Sequence, residues 1–161
     1  MRKLLLILFL FMTVSNATIY NLKYHNITIG EIKNIETTEK KFLKIKVISS
    51  LARFMLGEDY LVYYEEGYTT GNHKNSKYKK DKHAILRVIE KAVKGTIKDE
   101  TYIISKEKTI EIKFDKDFNQ YNFIYIKKGK IKSEGFIKLK NNSLLSFKDT
   151  KNNVEILLVK N

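Results

Sequence analysis

The stretch from Tyr20 to Ser49, YNLKYHNITIGEIKNIETTEKKFLKIKVIS, carries the clearest strand signal in this 161-residue chain. From Leu43 to Val47, apolar residues alternate with lysines. This two-residue period is typical of a strand that has one face in a core. The stretch therefore predicts two or three antiparallel strands, with turns at Gly30 and near Glu39.

Gly30 lies where the apolar pattern of this stretch changes phase. Ile27 and Ile29 share one face, whereas Ile32 follows at an odd spacing, so the alternation reverses around the glycine. A glycine at such a reversal is typical of a bulge or sharp bend, because it can adopt positive φ. The two interpretations are a structural kink and a backbone position held close to a ligand.

Residues 1–17 have the features of a secretory signal peptide. Arg2 and Lys3 precede the apolar run from Leu4 to Phe11, and small residues precede a cleavage site after Ala17. The run is far shorter than the roughly 20 residues of a spanning helix. With no cysteine to carry a lipid anchor, we expect an exported, periplasmic protein.

Residues 18–161 are expected to form one β-rich domain. Removing the 17 signal residues leaves 144, enough to bury a core without disulfides. The signal holds two of the 31 basic residues and none of the 18 acidic ones, so the remaining formal charge is +11. This charge has three interpretations: a Lys- and Asn-rich codon bias, attraction to an anionic envelope surface, or nucleic-acid binding. Since only three residues are arginine and export removes nucleic acid, we expect no nucleic-acid partner.

A short apolar run follows the predicted strands. Leu51, Phe54 and Met55 have helical spacing, with Ser50 as a candidate N-cap and Gly57 as a candidate end. The run predicts either a core element or a lip over an apolar pocket.

The stretch from Lys74 to His83 is dense in lysine and surrounds Tyr78. Such a pattern predicts an exposed loop or an edge strand. Its lysines are interpreted either as contacts for anionic headgroups or as a solvated charged surface.

One substantial amphipathic helix is predicted to open at Asp81 and to end at Gly95. Apolar residues recur on one stripe of it, whereas charged residues lie largely opposite. The stripe comprises Ile85, Ile89, Ala92 and Val93. A helix of this kind packs on a curved sheet, and apolar ligands often occupy the gap between them.

From Thr101 onward the sequence predicts a meander of strands. The two-residue period continues to Val159, and the pairs Lys128-Gly129 and Asn141-Asn142 are typical of tight turns. We expect nine or ten strands in total.

No catalytic or metal-binding motif is present in the sequence. The histidines, His25, His73 and His83, are widely spaced, and no cysteine could complete a zinc site. The acidic pairs Glu58-Asp59 and Glu65-Glu66 flank one strand, where adjacent side chains point to opposite faces. We therefore expect neither an enzyme nor a cofactor.

Three segments form a recognisable pattern: Tyr20 to Ile35 with its Ile29-Gly30-Glu31 step, the strand from Lys41 to Ser49, and the run from Leu51 to Leu56. Together they resemble an uncharacterised family of exported bacterial proteins. The general shape is also similar to the periplasmic lipoprotein carriers. Neither resemblance implies functional residues.

These patterns predict a mainly β (α+β) fold, a curved antiparallel half-barrel or flattened barrel with one packed helix. The expected function is non-enzymatic binding of a hydrophobic or amphiphilic envelope molecule, such as a lipid. The expected pocket residues are Phe54, Met55, Leu56, Ile85 and Ile89. The lysines expected to contact an anionic membrane surface are Lys74, Lys77, Lys79, Lys80 and Lys82. The alternative is an envelope structural protein that binds a protein or glycan through a sheet edge or its basic face.

Overall fold

The structure is a computed structural model of the chain. It describes residues 18–33, 35, 42–56, 59–63, 68–69, 79–80, 84–141 and 143–159. Predictions that concern residues 1–17 and the turn near Glu39 lie outside these ranges.

Strands dominate the described residues, and two helices interrupt them. The first half contains β1 (Ile19–Tyr24), β2 (Ile27–Lys33), β3 (Phe42–Val47), α1 (Ser50–Leu56), β4 (Asp59–Tyr63), β5 (Tyr68–Thr69) and β6 (Lys79–Lys80). The second half contains α2 (Leu86–Val93), β7 (Glu100–Ser105), β8 (Lys108–Asp115), β9 (Gln120–Lys127), β10 (Lys130–Lys140), β11 (Ser143–Asp149) and β12 (Val154–Leu158).

Ten of these strands form one antiparallel sheet, in the order β4-β3-β2-β1-β12-β11-β10-β9-β8-β7. The sheet is therefore two meanders joined along a single seam, where β1 pairs with β12. It has free edges at β4 and β7 within the described residues, so it does not close, and β5 and β6 pair separately. The predicted mainly β fold is confirmed.

The first hairpin turn lies earlier than the sequence pattern suggested. β2 runs through Gly30, and the turn between β1 and β2 is formed by His25 and Asn26, which both have positive φ, 47° and 64°. A two-residue turn with both residues in this region matches the right-handed twist of a hairpin. The prediction of a turn at Gly30 is therefore wrong.

The reversal of the alternation at this glycine is nevertheless a β-bulge. Leu22 pairs with Gly30 but Lys23 pairs with Thr28, so Ile29 is the extra residue. A Cβ on Gly30 would lie only 2.8 Å from Ile45 Cγ2. The backbone at Gly30 is thus held close to β3, and this contact accounts for the glycine.

Helix α2 covers one face of the sheet, where it packs on β10 and β11. Its residues Val88, Ile89 and Ala92 are fully buried, in one cluster with side chains from seven strands. The predicted helix–sheet packing is confirmed, although the helix begins at Leu86 rather than at Asp81. Its predicted end is confirmed, because Gly95 follows the last turn with φ +65°.

Charged side chains form contacts within α2 and between α2 and the sheet. Glu90, whose side chain is 8% exposed, lies 2.7 Å from Lys94 Nζ and 3.3 Å from Arg87 Nη1. Lys91 Nζ lies 2.8 Å from Glu100 Oε1 and 5.1 Å from the ring centre of Tyr102. The contacts of Lys91 join the helix to the edge strand β7, whereas those of Glu90 lie within the helix and its C-terminal cap.

Candidate functional site

A cavity of about 430 Å³ lies between the first turn of α2 and the same face of the sheet. Ile45 of β3 and Tyr125 of β9 both line it, although these strands are six positions apart in the sheet. In a flat sheet, six spacings of about 4.8 Å would separate them by roughly 29 Å. The sheet therefore curves around the cavity.

Most of the cavity wall is apolar. Twelve of the sixteen lining residues in the described ranges are aliphatic or aromatic, and they come from both meanders. The aliphatic and aromatic residues that the sheet contributes to the wall include Leu22, Ile29, Ile32, Ile45, Phe147 and Ile156. The bulge in β2 has a direct effect here, because the extra residue lets Ile29 and Ile32 face the cavity together.

The start of α2 closes one side of the cavity. Ala84, Ile85 and Leu86 line it, and Ile85, the N-cap residue that precedes the helix, provides no side-chain hydrogen bond to the first turn. Polar capping residues are normally preferred at this position, because they accept hydrogen bonds from the first amides. The apolar residues found here instead extend the apolar wall.

The four polar residues that line the cavity, Lys132, Ser133, Asp149 and Asn152, are joined by hydrogen bonds, and we call this group the polar end of the cavity. Asp149 is 4% exposed, and its carboxylate accepts a hydrogen bond of 2.5 Å from Ser133 Oγ. Asn152 donates to the same carboxylate twice, from its backbone N at 3.0 Å and from Nδ2 at 2.7 Å. Asn152 Nδ2 also donates to the Lys132 carbonyl, 3.0 Å away.

These bonds give Asp149 a structural role. Both of its oxygens accept hydrogen bonds from neighbouring groups, so the buried carboxylate is satisfied without a ligand. The contacts tie β10, β11 and the following turn together where the pairing of β10 with β9 shifts between Ile131 and Ser133. This arrangement holds Lys132 at the mouth of the cavity.

The described residues contain no cluster of three or more His, Cys, Asp or Glu side chains that could hold a metal ion. The arrangement suits an apolar molecule with one polar end, since the wall offers a large apolar surface and few polar groups.

The structure separates the predicted pocket residues. Ile85 lines the cavity. Ile89 is fully buried behind it in the core, and Phe54 is 91% exposed on α1, so neither lines this cavity. Met55 and Leu56 belong to α1, but their side chains lie outside what the structure describes.

The lysines predicted to contact an anionic surface lie in a part of the chain of which the structure describes few residues. Lys74, Lys77 and Lys82 lie outside the described residues. Lys79 and Lys80 form β6, which pairs with β5, and only their backbone is described.

Sequence reasoning missed the polar end and most of the wall. One signal was available, because the alternation of β10 places Ser133 on the same face as the buried Ile137. A polar residue on a core face requires a partner. Asp149, sixteen residues later, carried no comparable signal.

No family model, curated protein or solved structure matches this chain. Among the described helices, neither has the length and apolar character required to cross a bilayer.

Proposed function

We propose that this protein binds a small hydrophobic or amphiphilic molecule in the cavity, without catalysing a reaction. The supporting observation is the apolar cavity of about 430 Å³ between α2 and the sheet. Its volume lies within the range of about 300–1,000 Å³ that is typical of ligand sites. An apolar ligand would gain free energy in proportion to the surface that it removes from water.

The alternative, an interaction protein that uses a sheet edge, predicts no sizeable cavity. The free edges at β4 and β7 are compatible with it. The apolar cavity favours ligand binding, because a chain selected only for a sheet edge would gain stability by filling such a space.

The ligand is proposed to come from the cell envelope. This part of the proposal rests on the signal peptide expected in residues 1–17. An exported protein works outside the cytoplasm, where lipids and other amphiphiles of the envelope are available as ligands.

The test is a titration of the purified protein with N-phenyl-1-naphthylamine, an uncharged probe whose fluorescence rises in apolar surroundings. The variant Ile85→Trp places a larger side chain at the cavity wall. We expect saturable binding to the wild type and about a tenfold weaker affinity for the variant, equivalent to about 1.4 kcal/mol.

The matched control is Ile103→Trp. Ile103 is 70% exposed on β7 and does not line the cavity, so this variant should bind the probe like the wild type. A wild type that fails to bind the probe would refute the proposal. If both variants and the wild type bind the probe with equal affinity and have unchanged melting temperatures, the cavity is not the binding site.

A further inference from the structure

The polar end of the cavity continues into a group of lysines. Lys132 lines the cavity and also an adjoining surface pocket of about 410 Å³. In the described part of the chain, that pocket is lined by lysines alone: Lys127, Lys128, Lys130 and Lys132. The apolar cavity and a pocket lined by lysine side chains therefore meet at one residue, Lys132.

Strand register explains why these charges are close together. Lys127 at the end of β9 pairs with Lys108 of β8 on one side and with Lys130 of β10 on the other. Directly paired residues project to the same face of a sheet, with their Cβ atoms about 5 Å apart. Along β9, Lys127 shares its face with Tyr125 and the buried Phe123. The paired lysines Lys108, Lys127 and Lys130 therefore lie on the cavity side of the sheet.

Like charges at directly opposed positions destabilise a sheet. One lysine of the pocket, Lys128, has an acidic partner in Glu107, which lies 3.7 Å from Lys128 Nζ. Both of those side chains are more than half exposed, at 67% for Lys128 and 60% for Glu107, so the pair does little to offset the repulsion. An anion bound between Lys127, Lys130 and Lys132 would offset it directly.

Asp149, the one acidic residue among the described residues that line the cavity, does not fill this role. The Asp149 carboxylate is held by Ser133 and Asn152. Through the bond from Asn152 Nδ2 to the Lys132 carbonyl, it instead fixes the backbone that carries the lysine.

We infer that the ligand is a single-chain amphiphile with an anionic head group, a carboxylate or a phosphate. This inference rests on the proposed function. The acyl chain of the ligand occupies the apolar cavity. The cavity volume is at the low end for ligand sites and suits one acyl chain. The head group binds Lys127, Lys130 and Lys132. The expected contact of Lys74, Lys77, Lys79, Lys80 and Lys82 with an anionic surface stays a separate prediction.

The experiment measures displacement of N-phenyl-1-naphthylamine by decanoate and by 1-decanol, which share a chain length and differ in charge. We expect the wild type to prefer decanoate by about tenfold. The variant Lys127→Gln/Lys130→Gln/Lys132→Gln should lose this preference while binding 1-decanol and the uncharged probe as before. Unchanged probe binding and circular dichroism also show that the variant has folded.

The matched control is Lys98→Gln/Lys113→Gln/Lys116→Gln, which removes the same charge from exposed positions outside both pockets. It should retain the preference for decanoate. Loss of the preference in both variants, or in neither, would overturn the inference, because the preference for decanoate would then not depend specifically on Lys127, Lys130 and Lys132.

Two further outcomes separate this inference from the proposed function. If decanoate and 1-decanol displace the probe equally from the wild type, the head-group site is refuted and the apolar cavity stands. If neither displaces a bound probe, both proposals fail. Inorganic phosphate that binds as tightly as decanoate would reveal an ion site independent of the cavity and would also overturn the inference.

Discussion

Gly135 shows how closely the backbone of β10 approaches its neighbour. A Cβ built on this residue would overlap the carbonyl oxygen of Lys148 in β11. The nearest atoms all belong to the backbone, which cannot move aside without disturbing the ladder between the two strands. Gly135 also lies two residues from Ser133, so the close approach contributes to holding the polar end of the cavity in place.

Replacing Gly135 with alanine should destabilise the protein by about 2–3 kcal/mol, because the overlap forces the strands apart. Urea denaturation would measure the change in the free energy of unfolding. Gly95→Ala separates this effect from backbone strain, since Gly95 has φ +65° but nothing within 4 Å of its Cβ position. It should cost only about 1 kcal/mol, and equal costs for the two variants would contradict the overlap argument.

The sequence was a poor guide to which individual residues line the site. Ile85 could be placed at the cavity because helical spacing puts it on the stripe that faces the sheet. Phe54 follows the same apolar logic, yet it is exposed on α1, because hydropathy does not specify which apolar residues receive a partner. Lys132 and Asp149 line the same cavity only because β10 pairs with β11 and because Asn152 donates to both the Lys132 carbonyl and the Asp149 carboxylate, and local sequence encodes neither feature.

At the level of elements, the ionic contacts of the protein differ in their contribution to stability according to their burial. Glu90 is nearly buried between Arg87 and Lys94, whereas Glu107 and Lys128 form an exposed pair at 3.7 Å. A buried carboxylate that loses its charge leaves its partners without compensation, while an exposed pair is screened by water and salt.

Glu90→Gln should therefore lower the free energy of unfolding by about 1–3 kcal/mol. Glu107→Gln removes the same charge from an exposed hairpin and should change it by less than about 0.5 kcal/mol. Thermal and urea denaturation at neutral pH would compare the two. A similar loss in both variants would mean that the buried contacts of Glu90 stabilise the protein no more than an exposed pair does.

The elements themselves were largely predictable, because strand alternation and the helical stripe are local signals. The meander after Thr101 and the end of α2 at Gly95 follow the expected pattern. The first turn was placed wrongly, since a bulge and a turn both interrupt alternation and glycine is common to both. His25 and Asn26 form that turn with positive φ, which asparagine tolerates better than most residues.

For the whole molecule, the seam between β1 and β12 decides whether the two meanders form one sheet. The seam has five residue pairs, from Tyr20 with Leu158 to Tyr24 with Val154. A side-chain bond reinforces it, because the Tyr20 hydroxyl donates to the Leu144 carbonyl of β11 at 2.8 Å, beyond the intervening β12.

Tyr20→Phe should destabilise the whole fold by about 1–2 kcal/mol, because Tyr20 is fully buried and its carbonyl partner is far from water. Tyr24→Phe is the control on the same strand, since Tyr24 is 48% exposed; it should change stability by no more than about 0.5 kcal/mol. Chemical denaturation would report both. A neutral result for Tyr20→Phe would mean that the hydroxyl does not help to hold the seam.

The pairing of β1 with β12 also sets the order of events during synthesis. A ribosome produces β1 early, but its partner appears only after about 130 further residues, which takes roughly 10 s at typical elongation rates. During that interval β1 can pair with β2 alone, and its other edge stays open to strands of neighbouring nascent chains. The β7–β12 meander consists of successive hairpins and can form within itself. The part of the sheet made first is therefore completed last, and a holding chaperone would have the most effect on the first four strands.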